Sequence, residues 1–180
     1  MTRIVGLSGS LRKGSYNTAL LLAAQELHPQ ILQIASIADI PLYDADLESS
    51  GMPEPVESLK RLIGGADGLL LSSPEYNNSM PGVLKNAVDW LSRPSGDIRN
   101  VFRDKPVAVI GASPGGFGTI SAQAAWLPVF RALGARFWTG GRLMVSGAHK
   151  VFGERGQLAD AEIRERLAAF LGGFIEFCTD

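Results

Sequence analysis

The stretch Gly9-Ser10-Leu11-Arg12-Lys13-Gly14-Ser15-Tyr16-Asn17 decides how this chain is read. An apolar run, Ile4-Val5-Gly6-Leu7, precedes it and has the character of a buried strand. The residues that follow, Thr18-Ala19-Leu20-Leu21-Leu22-Ala23-Ala24, have the character of a helix. A strand, a Gly- and Ser-rich loop and a helix start together form an anion-binding arrangement. The first N–H groups of a helix have no intrahelical acceptor, and the helix dipole is positive at that end. Ser10, Ser15 and Asn17 add side-chain donors, and Arg12 adds a planar fork suited to phosphate oxygens. The stretch therefore reads as a phosphate cradle rather than a plain turn with Ser15 as a helix cap.

The kind of phosphate follows from what is missing. Gly9 and Gly14 have the spacing of a P-loop, but Ser15 comes directly after Gly14 where the phosphate-reaching lysine should stand. Gly6 and Gly9 do not match the dinucleotide fingerprint either. A monophosphate fits better than a triphosphate or a pyrophosphate.

Composition sets the outer bounds. A chain of 180 residues is read as one domain, 1–180, large enough to fold on its own core. The formal charge of −1 gives no footprint for nucleic acid. One cysteine, Cys178, excludes an internal disulfide framework and suits a reducing compartment; it reads as an inert helix residue. No leader and no membrane-length apolar run is seen, so the expectation is a cytoplasmic protein without a membrane partner.

Along the chain, apolar runs alternate with amphipathic stretches. Strands are predicted at about 3–7, 31–35, 68–72 and 107–112, with a last one within 136–145. Helices are predicted at about 16–27, 56–63, from Pro81 to Leu91, 120–133 with a kink or break at Pro128, and 160–177. Residues 39–55 and 95–104 read as surface excursions. The runs Gly68-Leu69-Leu70-Leu71-Ser72 and Val107-Ala108-Val109-Ile110 are so continuously apolar that both faces must be covered, the mark of a parallel sheet between helices.

The implied fold class is α/β: a doubly wound, five-stranded parallel sheet with helices on both faces. Ligands in such sheets bind at the carboxyl ends of strands, where the strand order reverses. In the order 2-1-3-4-5 the loops after strands one, three and four are neighbours. The first is the cradle. The second, Ser73-Pro74-Glu75-Tyr76-Asn77-Asn78, offers a stiff backbone, an aromatic ring and an amide. The third, Ser113-Pro114-Gly115-Gly116-Phe117-Gly118-Thr119, lets backbone approach a flat ligand. A phosphate at one end and a planar, hydrogen-bonding ring at the other describe a mononucleotide such as FMN.

The cradle, taken with Pro74-Glu75-Tyr76-Asn77 and Pro81-Gly82-Val83-Leu84-Lys85-Asn86-Ala87-Val88-Asp89-Trp90, resembles the NADPH-dependent FMN reductase family. That flavodoxin-like group includes quinone, chromate and azo reductases. Pro41-Leu42-Tyr43, Asp46-Leu47-Glu48 and the Ser113 loop also fit the pattern, so the resemblance covers nearly the whole chain. It implies Ser10, Arg12, Ser15 and Asn17 as ligands of the FMN phosphate. It implies Pro74, Glu75, Tyr76 and Asn77 along the isoalloxazine ring, with Ser113 and Gly116 as a third wall. It implies NADPH (or NADH) as co-substrate, small-molecule electron acceptors, and assembly as a homodimer or homotetramer.

Flavin chemistry asks for no acid–base side chain, and His28 and His149 lie outside the three loops, so no catalytic side chain and no metal ligand is assigned. Arg99 and Arg103 are the cations considered for a nicotinamide 2′-phosphate, against a plain solvated surface. Two other classes compete. A one-electron carrier of the flavodoxin kind would dock a protein partner. A nucleotide-binding regulator would use the first loop alone.

Overall fold

The computed structural model describes residues 1–180. Its sheet is built from β1 (Ile4–Ser8), β2 (Leu32–Ala35), β3 (Gly68–Ser72), β4 (Pro106–Ala112), β5 (Arg136–Phe137) and β6 (Leu143–Val145). All pairings are parallel, in the order β2-β1-β3-β4-β5, with β6 also on β4. The flavodoxin-like order expected from the sequence is present.

Each central strand feeds two cores, because successive side chains point to opposite faces. Ile4, Leu70, Ala108 and Ile110 face α1 (Tyr16–Leu27) and α8 (Ala161–Phe177), where they meet Leu20, Leu21, Leu167 and Phe174. Val5, Leu69, Leu71, Val107 and Val109 face the other layer, formed by α3 (Glu54–Gly64), α4 (Gly82–Leu91) and α6 (Ile120–Ala132). There they pack on Leu59, Leu84, Trp126 and Phe130.

Four sequence expectations need correction. The last strand is not continuous: β5 and β6 pair with different halves of β4, and Thr139 to Arg142 leave the sheet between them. The Trp138 ring causes this locally. It fills the space beside Gly140, Gly141 and Gly173, where an added Cβ would come within 2.7–2.9 Å of it. Residues 39–55 are not all loop, for α2 (Ala45–Ser50) forms behind Asp44, whose carboxylate accepts from the Asp46 N–H at 2.8 Å, and α3 begins at Glu54. Residues 95–104 hold a short 3-10 turn and α5 (Ile98–Val101), held down by the buried Val101 and Phe102. Finally, of the kink or break expected at Pro128, the break is absent: α6 is continuous through it, with Trp126 and Phe130 buried on either side. His149 lies in a further short helix, α7 (Ala148–Val151).

At the amino end of the sheet, Cys178 Sγ lies under Gly68, where a Cβ would come within 2.5 Å of it. Burial pushes the thiol up to about 12 from its ordinary 9.0. At pH 8, modification by a disulfide reagent should run about a thousandfold slower in the native protein than in denaturant, since only the thiolate reacts. Equal rates in the two states would show the thiol to be free.

Candidate active site

The first loop leaves β1 through Gly9. A Cβ there would lie 2.8 Å from Pro74 Cδ and 2.9 Å from Pro81 Cγ. Only glycine lets the first loop press against the second at this distance, which places the two loops side by side. Ser15 then caps α1, its hydroxyl accepting from the Thr18 N–H at 3.2 Å. From Leu11 to Asn17 no backbone N–H donates to a protein acceptor. No acidic residue stands in the first turn of α1. A run of free N–H groups at the positive end of a 12-residue helix is a site for an anion. Ser10, Ser15 and Asn17 are buried polar residues within it, and the Arg12 guanidinium lies 5.2 Å from the centre of the Tyr16 ring.

Asn17 is tied to the sheet. Its Nδ2 donates to the Ala112 carbonyl at 2.8 Å, and its Oδ1 accepts from the Ala112 N–H at 2.9 Å and from Ser72 Oγ at 3.4 Å. One Nδ2 hydrogen stays uncommitted. The side chain thus fixes the start of α1 to the carboxyl ends of β3 and β4, where the other two loops begin.

The second loop is a miniature hairpin. The Tyr76 N–H donates to the Ser79 carbonyl and the Ser79 N–H to the Tyr76 carbonyl, both at 3.0 Å. Asn77 and Asn78 take positive φ values of +50° and +58°, the turn for which asparagine is suited. The Glu75 carboxylate reaches the first turn of α6, just past the third loop, accepting from the Ser121 and Ala122 N–H groups at 2.8 and 3.0 Å. It caps α6, whose own preceding residue Thr119 provides no side-chain cap. The Tyr76 ring is half exposed at the rim.

The third loop is set by Ser113. Its N–H donates to the Val145 carbonyl at 2.9 Å, its carbonyl accepts from Ala148, and its Oγ accepts from the Gly115 N–H at 3.1 Å. Gly116 faces open space, and Phe117 beside it is exposed.

A cavity of about 300 Å³ collects these residues. Ser10, Arg12, Ser15, Asn17, Pro74, Glu75, Tyr76 and Ser113 line it; Asn77 and Gly116 do not. Tyr16 and Pro114 line it too, and neither was singled out from the sequence. The four-residue spacing from Arg12 to Tyr16 into a helix start was the available signal for Tyr16. Arg99 and Arg103 belong to the segment that enters β4 at its amino end, the opposite end of the sheet. They lie far from this cavity by topology, in keeping with the reading of that segment as a solvated surface.

A brace ties the segment after β2 to α4. Asn86 of α4 accepts from the Tyr43 N–H and donates to the Pro41 carbonyl, both at 2.8 Å, and Trp90 Nε1 donates to the same carbonyl at 2.9 Å. The hydroxyl of Tyr43 and the guanidinium of Arg93 both donate to Glu48, at 2.8 and 3.1 Å. Those hydrogen bonds hold the Glu48 carboxyl below its usual range, and the Glu48 partner pushes the Tyr43 phenol up.

With this geometry in view, comparison with known proteins is direct. The profile of the NADPH-dependent FMN reductase family matches residues 2–150. An NAD(P)H-dependent FMN reductase of Pseudomonas aeruginosa is 43% identical over 165 residues, spanning 91% of this chain and 88% of that one. A quinone reductase of Escherichia coli K12 is 37% identical over 181 residues, spanning 97% and 94%. Among solved structures, the flavoenzyme NAD(P)H:acceptor oxidoreductase FerB of Paracoccus denitrificans superposes with a TM-score of 0.89 at 33% identity, covering 99% of this chain and 98% of that one. The chain belongs to the NADPH-dependent FMN reductase family. It is an oxidoreductase, with FMN and NAD(P)H as its cofactors.

The residues present fit FMN. The unsatisfied N–H run and the two buried serines suit a monophosphate dianion. Pro74, Glu75, Tyr76 and Ser113 line the rest of the same cavity, available to a ring.

Proposed function

We propose that this protein is an FMN-dependent NAD(P)H oxidoreductase passing two electrons to small acceptors: quinones, free flavin, azo compounds and metal oxyanions such as chromate. The carrying observation is one cavity that joins an unsatisfied N–H run at a helix start to the Pro74 hairpin and the Ser113 loop. FMN supplies the redox chemistry, with hydride exchanged at its N5.

The chain's own part is binding and electrostatics. Ser10, Ser15, Arg12 and the N–H groups of residues 11–17 hold the phosphate, and the spare Nδ2 hydrogen of Asn17 completes the set. Pro74, Glu75, Tyr76 and Asn77 lie along the ring. The Glu75 and Asn77 N–H groups find no protein acceptor and are free to stabilise negative charge on it, as an oxyanion hole does. Ser113 and Gly116 form the third wall. No side chain acts as acid or base, and no metal is used.

The reading extends to one domain over residues 1–180, a cytoplasmic location, and a homodimer or homotetramer. Exposed Leu42, Leu47, Val83, Ile120 and Leu127 on the α4–α6 side support the assembly. No helix is long and apolar enough to cross a membrane.

The test is an anaerobic NADPH titration of the FMN-loaded protein, followed in the visible spectrum. Bleaching in one two-electron step is expected. Unchanged colour with NADPH, together with a stable one-electron-reduced spectrum from a chemical reductant, would replace the reductase with a carrier. Arg12→Ala should weaken FMN binding by about ten- to a hundredfold at fixed ionic strength, by loss of charge-assisted hydrogen bonds. An unchanged Kd by flavin fluorescence quenching would remove Arg12 from the phosphate site.

A further inference from the structure

A second cavity, of about 590 Å³, adjoins the FMN site and shares Ser15 and Tyr16 with it. One wall is the β1–α1 loop and α1, through Lys13, Ala19 and Leu22. The other is the segment from His149 to Gly156. That segment has a defined backbone. Phe152 and Leu158 form an antiparallel bridge, the Gly153 N–H donates to the Gln157 carbonyl at 2.9 Å, and Gly156 turns the chain at φ +80°. Phe152 stacks on Tyr16 with ring centres 5.6 Å apart, which fastens the turn to the start of α1.

The charges are what need explaining. The Lys13 and Arg155 cations line this cavity beside His149, and neither pairs with a carboxylate within 4.0 Å. Glu154 is the one acidic residue in the lining. The protein as a whole carries a formal charge of −1, so the cluster is local. A single mononucleotide phosphate is already served by Arg12, the serines and the free N–H run. Lys13 and Arg155 are surplus to it. Ala19, Leu22 and Phe152 add apolar surface to the same lining. Apolar surface beside cations suits a nucleoside phosphate rather than a bare ion, and the volume lies within the ordinary range for small ligands. Arg155 and Phe152 also fall beyond residue 150, where the family match ends.

We propose that this cavity holds the adenosine 2′-phosphate end of NADPH, with Lys13 and Arg155 as its charged ligands. The proposal rests on the reading that the FMN phosphate occupies the neighbouring cradle. A dinucleotide is longer than a mononucleotide. This cavity shares Ser15 and Tyr16 with the FMN cavity, so the two form one continuous surface long enough in kind for a dinucleotide. The Lys13 and Arg155 charges discriminate NADPH from NADH, since NADH has no 2′-phosphate to meet them.

The test uses FMN-saturated enzyme at fixed ionic strength. Arg155→Ala and Lys13→Ala should each raise KM for NADPH about tenfold, the size of one charge-assisted hydrogen bond, and leave KM for NADH within about twofold. FMN affinity should stay unchanged in Arg155→Ala. For the wild type, 2′,5′-ADP should compete with NADPH, while 5′-AMP and inorganic phosphate at the same concentration should not. The proposal is overturned if both KM values rise together, which marks general anion steering, or if neither moves. It is equally overturned if FMN affinity falls while KM for NADPH holds, which assigns the cavity to the flavin. Should FMN fail to bind at all, the reductase reading fails on its own. Calorimetric titration of the protein with 2′,5′-ADP still decides the cavity, binding lost in Arg155→Ala supporting it and no binding to the wild type ending it.

Discussion

Asn17→Ala should cost about 2–4 kcal/mol of stability and weaken FMN binding in the same variant. The amide makes a two-way bond with the Ala112 backbone from a buried position, at 2.8 and 2.9 Å. Its removal leaves a buried N–H and a buried carbonyl without partners, each costing about 1–3 kcal/mol. No neighbouring side chain reaches Ala112 to replace it. Because the same amide fixes the start of α1 to β4, the cradle and the Ser113 loop lose their common reference. Denaturant unfolding gives the stability, and flavin fluorescence the affinity. Asn17→Asp separates the effects: it keeps the acceptor for the Ala112 N–H but sets a carboxylate against the Ala112 carbonyl and toward the phosphate site. It should lose more FMN affinity than stability. An alanine variant with unchanged melting would show that water satisfies Ala112 and that Asn17 is no brace.

Gly111→Ala carries the other large effect. A Cβ at position 111 would sit 2.1 Å from Thr119 Oγ1 and 2.5 Å from the Ser73 carbonyl oxygen. Thr119 and Ser73 are fully buried, and one of the two contacts is with backbone, so rotation of a side chain cannot relieve it. The Ser73 N–H is itself bonded to Ile110 at 2.9 Å, which pins that strand end. Overpacking of this kind costs about 1–3 kcal/mol, and with backbone on one side the upper end is expected. The damage falls where the second and third loops leave the sheet. Gly111→Ala should therefore melt lower and bind FMN more weakly, whereas Gly82→Ala, with open space around its Cβ, should melt within about 0.5 kcal/mol of the wild type. Equal melting of the two variants would disprove the crowding.

How legible each part was depended on the range of the forces that set it. β1, β3 and β4 were readable because continuous apolar runs report a strand buried on both faces, and the strand order then sets the three loops side by side. The cradle was readable because its donors are consecutive. The break in the last strand was not, since it depends on the Trp138 ring lying over Gly140, Gly141 and the distant Gly173. The turns of α2 and α5 were missed for a similar reason. One rests on a single capping carboxylate and the other on the burial of Phe102, and neither leaves a period in the sequence. The side-chain tasks were the least visible. Asn17 looked like a phosphate donor, but most of its bonding goes to Ala112, 95 residues away. Glu75 looked like part of the ring wall, and its carboxylate caps a helix 46 residues on. In both cases a polar residue near a ligand site serves the scaffold with its side chain, which spacing alone cannot distinguish.

The division of the site among loops after β1, β3 and β4 has a thermodynamic consequence. No local segment holds a competent flavin pocket, because its walls meet only after strands far apart in sequence have paired. Binding is then linked to closure of the entire sheet, and the unfolded chain has nothing comparable to offer the ligand. FMN at a hundred times its Kd adds about 2.7 kcal/mol to the free energy of unfolding. Any lesion in the sheet is accordingly felt as lost cofactor affinity, and cofactor supply sets how many such lesions the chain can carry and still fold.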